Sequence, residues 1–350
     1  MNISAKLFGQ TPTGDNVYNY TLESGGLKVE ILNFGGIIRA LYLPDKNGRV
    51  ADIVLGHKNF EDYIENKGYL GCAVGRSSNR IAGAAFDLGD EQVTLEQNDG
   101  INNLHTGPGG LHRRLFTGEI HTINNQPTLL LSHTVEDGSD GFPGNLIVTI
   151  AYALTEDNGL MIDYRAVSDK DTLINLTNHS YFNLGGHDSG NIYGHILEMD
   201  APFYTPINSQ KIPTGEVLRV KDTPFDFGSA KPIGRDIHSA LTQISLCEGY
   251  DHNLIFDGTG YRKVATLTEP ESGRVMNMLT DLPGVQLYTG NHFDGEESYK
   301  DGVKYPKHAG LCLETQFFPN CANTPWFPSA FFAAGQEYAF TTTYQFSVTE

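Results

Sequence analysis

Apolar and polar residues alternate with a period of two along much of the chain, which is typical of β-strands with one buried face. The clearest case runs from Leu146 to Leu154, and the alternation resumes from Leu160 to Ala166. Between them lies Glu156-Asp157-Asn158-Gly159. Because Asn-Gly readily takes positive φ at a hairpin corner, this region predicts two antiparallel strands joined by a turn. Similar patches predict further strands at residues 27–32, 264–268 and 337–348.

Long helices are disfavoured throughout the sequence. The chain of 350 residues contains 39 glycines and 16 prolines, which interrupt it at short intervals. Only residues 59–64 suggest a short helix, and no internal repeat or linker is evident. We therefore predict an all-β fold in which residues 1–350 form a single large antiparallel domain, built from two packed sheets.

Composition narrows the classes of partner and compartment. The chain has 24 Lys and Arg against 42 Asp and Glu, a formal net charge of −18, which repels nucleic acid and anionic lipid. No stretch reaches the roughly 18 apolar residues of a membrane span, and the N-terminal residues do not resemble a signal peptide. The four cysteines are too few and scattered for a disulfide scaffold. We expect a cytoplasmic protein with reduced thiols, and neither a nucleic-acid nor a membrane partner.

One histidine lies in an unusually polar setting. Residues 172–179 read as a strand that places Asn175, Thr177 and His179 on one face, and Tyr181 follows shortly after. A lone histidine of this kind is usually a buried residue held by hydrogen bonds. The many amides and hydroxyls around His179 instead indicate a site that orients the imidazole.

One glutamate interrupts an apolar strand pattern at Leu311-Cys312-Leu313-Glu314-Thr315-Gln316. A carboxylate in mid-strand is costly to bury unless it is paired or solvated. A half-exposed strand with Glu314 on its water side explains the spacing equally well, so the pattern alone leaves both readings open. Together, His179 and Glu314 make a plausible acid–base pair.

Five further residues carry groups suited to binding hydroxyls. They are polar or charged side chains beside glycines or turn residues, where binding groups tend to collect: Asn79, Arg80, His105, Asp251 and Gln286. Each has an ordinary alternative, such as a surface salt bridge for Arg80 or an Asx turn for Asp251, which we read as a loop residue. Gln286 shares a strand face with Tyr288, and amides beside aromatics suit a sugar.

Other chemistries lack their signatures. None of the 12 histidines occurs in an H-x-H or H-E-x-x-H spacing, so no metal site is expected. The glycines near Arg76 do not form a phosphate-binding motif, and G-x-S-x-G is absent, which argues against a serine hydrolase.

At these residues the chain resembles the aldose 1-epimerase, or galactose mutarotase, family. The similarity runs through nearly the whole length in six ordered motifs, which together are far more specific than any one alone. They are Gly75-Arg76 with Asn79-Arg80-Ile81, Asn103-Leu104-His105, the segment from Asn178 to Leu184, Tyr250-Asp251-His252, the segment from Gln286 to Asn291, and Leu313-Glu314-Thr315-Gln316.

The resemblance implies a fold, a reaction and a set of roles. The fold would be the family's large antiparallel β-sandwich, a supersandwich with a sugar cleft on one sheet. Glu314 would be the general base at the anomeric hydroxyl and His179 the general acid at the ring oxygen, interconverting α and β anomers of hexoses such as galactose and glucose. The residues expected to bind the sugar are Asn79, Arg80, His105, Tyr181, Asp251 and Gln286. No cofactor is implied, and the chain would be a monomer or homodimer.

The sequence departs from the family pattern around the expected rim of the site. Thr106 stands where a second glycine often follows the histidine, and residues 111–116 replace an aromatic, acidic and tryptophan-containing run. Phe317-Phe318 and Ala333-Ala334-Gly335 also differ. These changes bear on sugar preference, so the preferred aldose stays open.

Three alternatives share the same kind of sandwich. A non-catalytic sugar-binding module would be expected to lack His179 or Glu314. A hexose-phosphate epimerase would need converging cations, for which Arg113-Arg114 is the one candidate cluster. A polysaccharide lyase would be expected to have a more basic cleft.

Overall fold

The computed structural model describes residues 2–349, in which β-strands dominate. In chain order the strands are β1 Asn2–Gln10, β2 Asn16–Ser24, β3 Leu27–Leu32, β4 Ile37–Pro44, β5 Val50–Asp52, β6 Ala73–Val74, β7 Arg80–Ile81, β8 Ala85–Leu88, β9 Glu91–Thr94, β10 Asn103–Leu104, β11 Thr117–Ile123, β12 Gln126–Val135, β13 Leu146–Leu154, β14 Gly159–Ser168, β15 Thr172–Leu173, β16 Thr177–Asn178, β17 Ile196–Met199, β18 Phe203–Tyr204, β19 Leu218–Arg219, β20 Lys231–Pro232, β21 Asp251–Ile255, β22 Arg262–Thr268, β23 Arg274–Thr280, β24 Gly284–Tyr288, β25 Cys312–Gln316, β26 Phe331–Phe332 and β27 Glu337–Val348. 

The helices of the described range are short. The α-helices are α1 Phe60–Glu65 and α2 Thr242–Cys247. Six single-turn 3₁₀ segments lie at Ala82–Ala84, Leu111–Arg113, Ser139–Gly141, Ile233–Arg235, Lys300–Gly302 and Cys321–Asn323. None of these helices is both long enough and apolar enough to cross a membrane.

Three larger sheets are built from antiparallel ladders. One has five strands in the order β1-β2-β3-β4-β5, the second has nine in the order β11-β12-β13-β14-β27-β23-β22-β17-β20, and the third has five in the order β19-β18-β21-β24-β25. Four two-stranded pairs complete the pattern: β7 with β10, β6 with β16, β8 with β9, and β15 with β26. The all-β antiparallel fold predicted from the sequence is confirmed.

Several strand predictions are confirmed in position as well as type. β13 and β14 form the predicted hairpin, with Leu154 opposite Leu160 across the Asn-Gly turn. The patches at 27–32, 264–268 and 337–348 lie in β3, β22 and β27. The short helix predicted at 59–64 is α1, displaced by one residue.

The continuous strand predicted at residues 172–179 is wrong. Only β15 and β16 are strands there, because the backbone amides in between bond to carbonyls outside any strand or to a side chain. The Ile174 amide donates to the Ala330 carbonyl at 2.9 Å and the Asn175 amide donates to the Arg76 carbonyl at 2.9 Å. The Leu176 amide donates to the Tyr338 hydroxyl at 3.2 Å.

The core lies between the nine-stranded sheet and both five-stranded sheets. The Tyr152 hydroxyl donates to the Gly36 carbonyl at 2.8 Å beside the first sheet, and the Tyr344 hydroxyl donates to the Leu313 carbonyl at 2.9 Å in the third. The predicted β-sandwich is therefore confirmed, with the layer opposite the nine strands divided into two five-stranded sheets. Phe182 links its two halves through isolated backbone bridges to Val54 and Leu311 rather than through a full strand.

Candidate active site

Neighbouring strands of the third sheet hold three polar side chains side by side. Gln286 in β24 lies directly opposite Glu314 in β25, and Asp251 begins the adjacent strand β21. The Gln286 amide nitrogen donates to Asp251 Oδ1 at 2.7 Å. The expectation that Asp251 belongs to a loop is therefore wrong, because it pairs in register with Tyr288 as the first residue of a strand.

The two-stranded pair of β7 and β10 brings a second group of residues together. Leu104 pairs with Arg80, and both Asn79 and His105 take positive φ, at 53° and 52°. The His105 amide donates to the Asn79 carbonyl at 2.9 Å, and the Asn79 amide donates to His105 Nδ1 at 3.1 Å. Since Nδ1 accepts this hydrogen bond, the neutral His105 ring carries its own proton on Nε2.

His179 follows β16 and is fixed by the backbone on both sides. Its amide donates to the Cys72 carbonyl at 2.8 Å, and its carbonyl accepts from the Gly71 amide at 3.0 Å. The imidazole lies 5.9 Å from the Tyr69 ring and 5.0 Å from the Tyr181 ring, measured between centroids. These contacts leave the ring little rotational freedom.

The three groups meet at a cavity of about 150 Å³. All eight residues singled out from the sequence line it: Asn79, Arg80, His105, His179, Tyr181, Asp251, Gln286 and Glu314. The Tyr181 hydroxyl already donates to the Gly68 carbonyl at 2.7 Å, so this residue offers the cavity its ring rather than a hydroxyl proton.

Glu314 and His179 face each other within this cavity. Glu314 Oε1 lies 3.6 Å from His179 Nε2, and the two side chains are 2% and 5% exposed. The half-exposed position considered for Glu314 is therefore excluded. Among the residues described, Glu314 Oε2 has no hydrogen-bond partner. A buried carboxylate oxygen without a partner is costly, and a ligand hydroxyl would satisfy it.

Burial shifts both members of this pair toward their neutral forms. It raises the pKa of Glu314 well above the ordinary value, helped by the charge of Asp251 and opposed by Arg80. It also lowers the pKa of His179 to about 3. Loss of solvation therefore outweighs the attraction between the two opposite charges.

His105, His179 and Glu314 also form the one cluster within residues 2–349 with ligand atoms close enough for a metal, all within 4.8 Å of one another. A metal needs an imidazole lone pair. His105 instead presents an N–H from Nε2, because its Nδ1 is occupied by the Asn79 amide. The cluster therefore fits a ligand that accepts hydrogen bonds better than a cation.

Other arginines noted in the sequence do not reach the cavity. Arg76 is buried and donates to the carbonyls of Pro143 and Gly144, at 2.6 and 2.8 Å, so it supports the fold. Arg113 and Arg114 pair with Glu65 and Asp140 outside the cavity lining. The Arg113-Arg114 cluster considered for a phosphorylated sugar therefore lies outside the cavity lining.

A larger surface cleft of about 590 Å³ lies around Arg274. Its volume exceeds that of the cavity, but the buried Arg274 in its lining is already engaged. Arg274 donates to the carbonyls of Leu43, Leu184 and Arg49 at 3.1, 2.8 and 2.9 Å. We therefore place the site at the cavity, where the buried Glu314 Oε2 is still without a partner in the described structure.

Sequence reasoning missed several members of the lining. Tyr69, Lys211 and His292 line the cavity without having been singled out, and Tyr288 was noted only as the neighbour of Gln286. Lys211 Nζ lies 3.8 Å from Asp251 Oδ2. Positive φ at Tyr69 and Lys211, 60° and 61°, aims both side chains, and no motif around them signals this.

Comparison with known proteins agrees with this site. The aldose 1-epimerase family model matches residues 18–345. The chain belongs to the aldose 1-epimerase family. The expected enzyme class, an isomerase acting on carbohydrates, is confirmed with it.

Individual relatives match over almost their full length. The chain is 39% identical to galactose mutarotase of Bos taurus, covering 99% of both chains. It is 34% identical to aldose 1-epimerase of Escherichia coli K12, covering 96% of both. The crystal structure of galactose 1-epimerase from Lactobacillus acidophilus superposes with a TM-score of 0.89 at 27% identity, covering 100% of both chains.

Proposed function

We propose that this enzyme interconverts the α and β anomers of free hexoses such as galactose and glucose, with Glu314 as general base and His179 as general acid. The observation that carries the proposal is the 3.6 Å approach of Glu314 Oε1 to His179 Nε2 on one cavity wall. Because the two groups are so near each other, they can contact adjacent oxygens of one pyranose.

The reaction needs one proton to leave and one to arrive. Glu314 takes the proton of the hydroxyl on C1 while His179 protonates the ring oxygen O5, and the C1–O5 bond breaks to give an aldehyde. Rotation about C1–C2 presents the other carbonyl face. Closure then returns both protons with the roles reversed, so the pair ends as it began and no redox cofactor is required.

The pKa shifts favour this proton transfer. A raised pKa makes ionised Glu314 a stronger base than in water, and a lowered pKa makes protonated His179 a stronger acid. Ring opening converts the ionised pair into the neutral pair, which is the form that burial stabilises. The same shifts make the ionised pair, which starts the reaction, less populated than the neutral pair.

The remaining polar groups suit the sugar's other hydroxyls. Asp251 and Gln286, already bonded to each other, offer the cavity an acceptor and an amide. Arg80, held by Asp99 Oδ2 at 2.7 Å, and His105 Nε2–H offer donors in the same lining. Asn79 and the Tyr181 ring complete the proposed binding surface.

We also propose that residues 1–350 act as one catalytic domain, as a monomer or homodimer in the cytoplasm. The single-domain assignment is supported by one hydrophobic cluster whose members run from Tyr20 to Phe346. The cytoplasmic location is supported by Cys72, Cys247, Cys312 and Cys321, which are all buried free thiols.

Polarimetry tests the proposed activity. Freshly dissolved α-galactose and α-glucose should approach equilibrium rotation faster with the wild-type protein than without it, and His179→Asn should remove most of the acceleration. Acceleration of a hexose 6-phosphate alone would support the phosphate alternative instead. No acceleration on any free hexose would refute the proposal.

A further inference from the structure

Strand β25 contacts both nitrogens of the His179 ring. Cys312 Sγ lies 3.4 Å from Nδ1, and Glu314 Oε1 lies 3.6 Å from Nε2. Residues two apart on a strand share a face, so Cys312 and Glu314 project in the same direction. One strand thus sets the position of the base and of the ring that acts as acid.

Cys312 is the side chain that hydrogen-bonds to Nδ1 within the described part of the chain. The neighbouring aromatic hydroxyl of Tyr181 is committed to the Gly68 carbonyl. Cys312 itself is fully buried, and burial raises the pKa of its thiol well above the ordinary value. The sulfur therefore stays a neutral thiol beside the ring.

A thiol is an unusual but suitable partner for an imidazole that must change charge twice in each turnover. Its sulfur can accept Nδ1–H from the protonated ring, and it can still accept Nδ1–H from the neutral ring that remains after Nε2 has given its proton to O5. A carboxylate in its place would favour the charged ring and make it a weaker acid. A weak, neutral acceptor favours neither charge state strongly.

We propose that Cys312 is a positioning residue whose sulfur accepts Nδ1–H of His179, so that Nε2, which faces Glu314 and the substrate, is the nitrogen that gives and takes back the proton. This inference rests on the acid role proposed for His179. Cys312 does not touch the sugar and does not exchange its own proton in the reaction. Its contribution is to the orientation and tautomer of the ring.

The test compares variants that differ in hydrogen bonding at this position. Cys312→Ser keeps a donor and acceptor, Cys312→Ala removes both, and Cys312→Val removes both while filling the space. Cys321→Ala controls for loss of a buried thiol elsewhere. The readouts are kcat and KM for galactose, and the tautomer of His179 from ¹⁵N-histidine NMR, assigned with His179→Asn.

We expect Cys312→Ala and Cys312→Val to lower kcat by about ten- to a hundredfold, the scale of a small misplacement of a catalytic group, with KM within about twofold. Their neutral ring should lose its preference for the proton on Nδ1. Cys312→Ser should stay within about threefold of wild type and keep the tautomer, and Cys321→Ala should match wild type.

Three outcomes would overturn the inference. They are wild-type kcat in Cys312→Ala or Cys312→Val, an unchanged His179 tautomer in both, and a fall in Cys312→Ser as large as that in Cys312→Ala. The proposed function fails separately, since it requires loss of activity in His179→Asn whatever Cys312 does.

Discussion

Two buried acid–base couples in this protein differ in how fully their atoms are bonded. In the first, Lys300 Nζ donates to Asp52 Oδ2 at 2.6 Å and to the carbonyls of Val54 and Arg39 at 2.8 and 2.9 Å. Asp52 Oδ1 accepts from the amides of Leu41 and Val54 at 3.0 and 3.2 Å. Burial lowers the pKa of Lys300, and the charge of Asp52 opposes that shift.

The second couple, Glu314 and His179, does not use all of its hydrogen-bonding capacity. Its members are 3.6 Å apart, Glu314 Oε2 has no partner in the described structure, and both line a cavity. Both couples are almost fully buried, so burial does not distinguish them. The Lys300–Asp52 couple bonds the 3₁₀ segment Lys300–Gly302 to the first sheet. The Glu314–His179 couple instead has hydrogen-bonding capacity left for a ligand.

The largest effect should come from Glu314→Gln. Removing the base should lower kcat for galactose by about 10³-fold, within the range typical of a positioned acid or base. Because the wild-type carboxyl is driven toward its neutral form, an amide of the same shape should change unfolding free energy by less than about 1 kcal/mol. Polarimetry measures kcat, and denaturant unfolding measures the change in stability. Destabilisation without loss of kcat would show that the Glu314–His179 couple, like the Lys300–Asp52 couple, stabilises the fold instead of acting in catalysis.

Lys300→Met should do the opposite. Leaving Asp52 buried without its partner should cost about 3–5 kcal/mol of unfolding free energy, while kcat per folded molecule stays near wild type. Lys170→Met is the matched control, because the Lys170–Asp137 pair at 2.5 Å is exposed and should contribute under about 1 kcal/mol. Equal losses in the two variants, measured by urea unfolding, would show that the buried pair has no special role.

The pH dependence of kcat/KM should follow the number of protons bound by Glu314 and His179 together. Activity requires one proton on the pair, so it should fall on the alkaline side above the raised pKa of Glu314. On the acid side it should fall only toward the lowered pKa of His179, about 3. The profile is therefore a broad bell, each limb approaching tenfold per pH unit. A rate still rising above about pH 9, or an acid limb at the ordinary histidine value near 6.5, would contradict it.

The smallest effect should come from Lys211→Met at the cavity mouth. Lys211 Nζ lies 3.8 Å from Asp251 Oδ2 and its side chain is 37% exposed. Such pairs contribute about 0.2–1 kcal/mol, so KM for galactose should rise by at most about fivefold with kcat unchanged. Steady-state kinetics would show a role in chemistry if kcat fell more than KM rose.

Period-two patterning predicted the regular ladders, such as β13 with β14, because strands with one buried face impose that pattern directly. It failed at residues 172–179, where the amides of Ile174 and Asn175 bond to carbonyls outside any strand and the Leu176 amide bonds to the Tyr338 hydroxyl. It also missed α2, Thr242–Cys247, which has no side-chain cap to mark its start. Local signals cannot report hydrogen bonds made to residues distant in sequence.

The eight cavity residues could be named from motifs, but their burial and their pKa shifts could not be predicted. For Glu314 the alternation in β25 fits burial and exposure equally, and only the packing of β25 against β24 and the aromatic residues decides between them. The pKa directions likewise depend on burial. Lys211 was missed because its contact with Asp251 joins positions 40 residues apart through tertiary structure.

The account's central claim is that Glu314 and His179 act on adjacent oxygens of one sugar. The most direct test is a crystal structure of Glu314→Gln with galactose bound. We predict O1 within hydrogen-bond distance of the residue 314 amide and O5 within hydrogen-bond distance of His179 Nε2, with hydroxyls at Asp251 and Gln286. A sugar bound outside this cavity, or one whose O1 and O5 face neither side chain, would contradict the account.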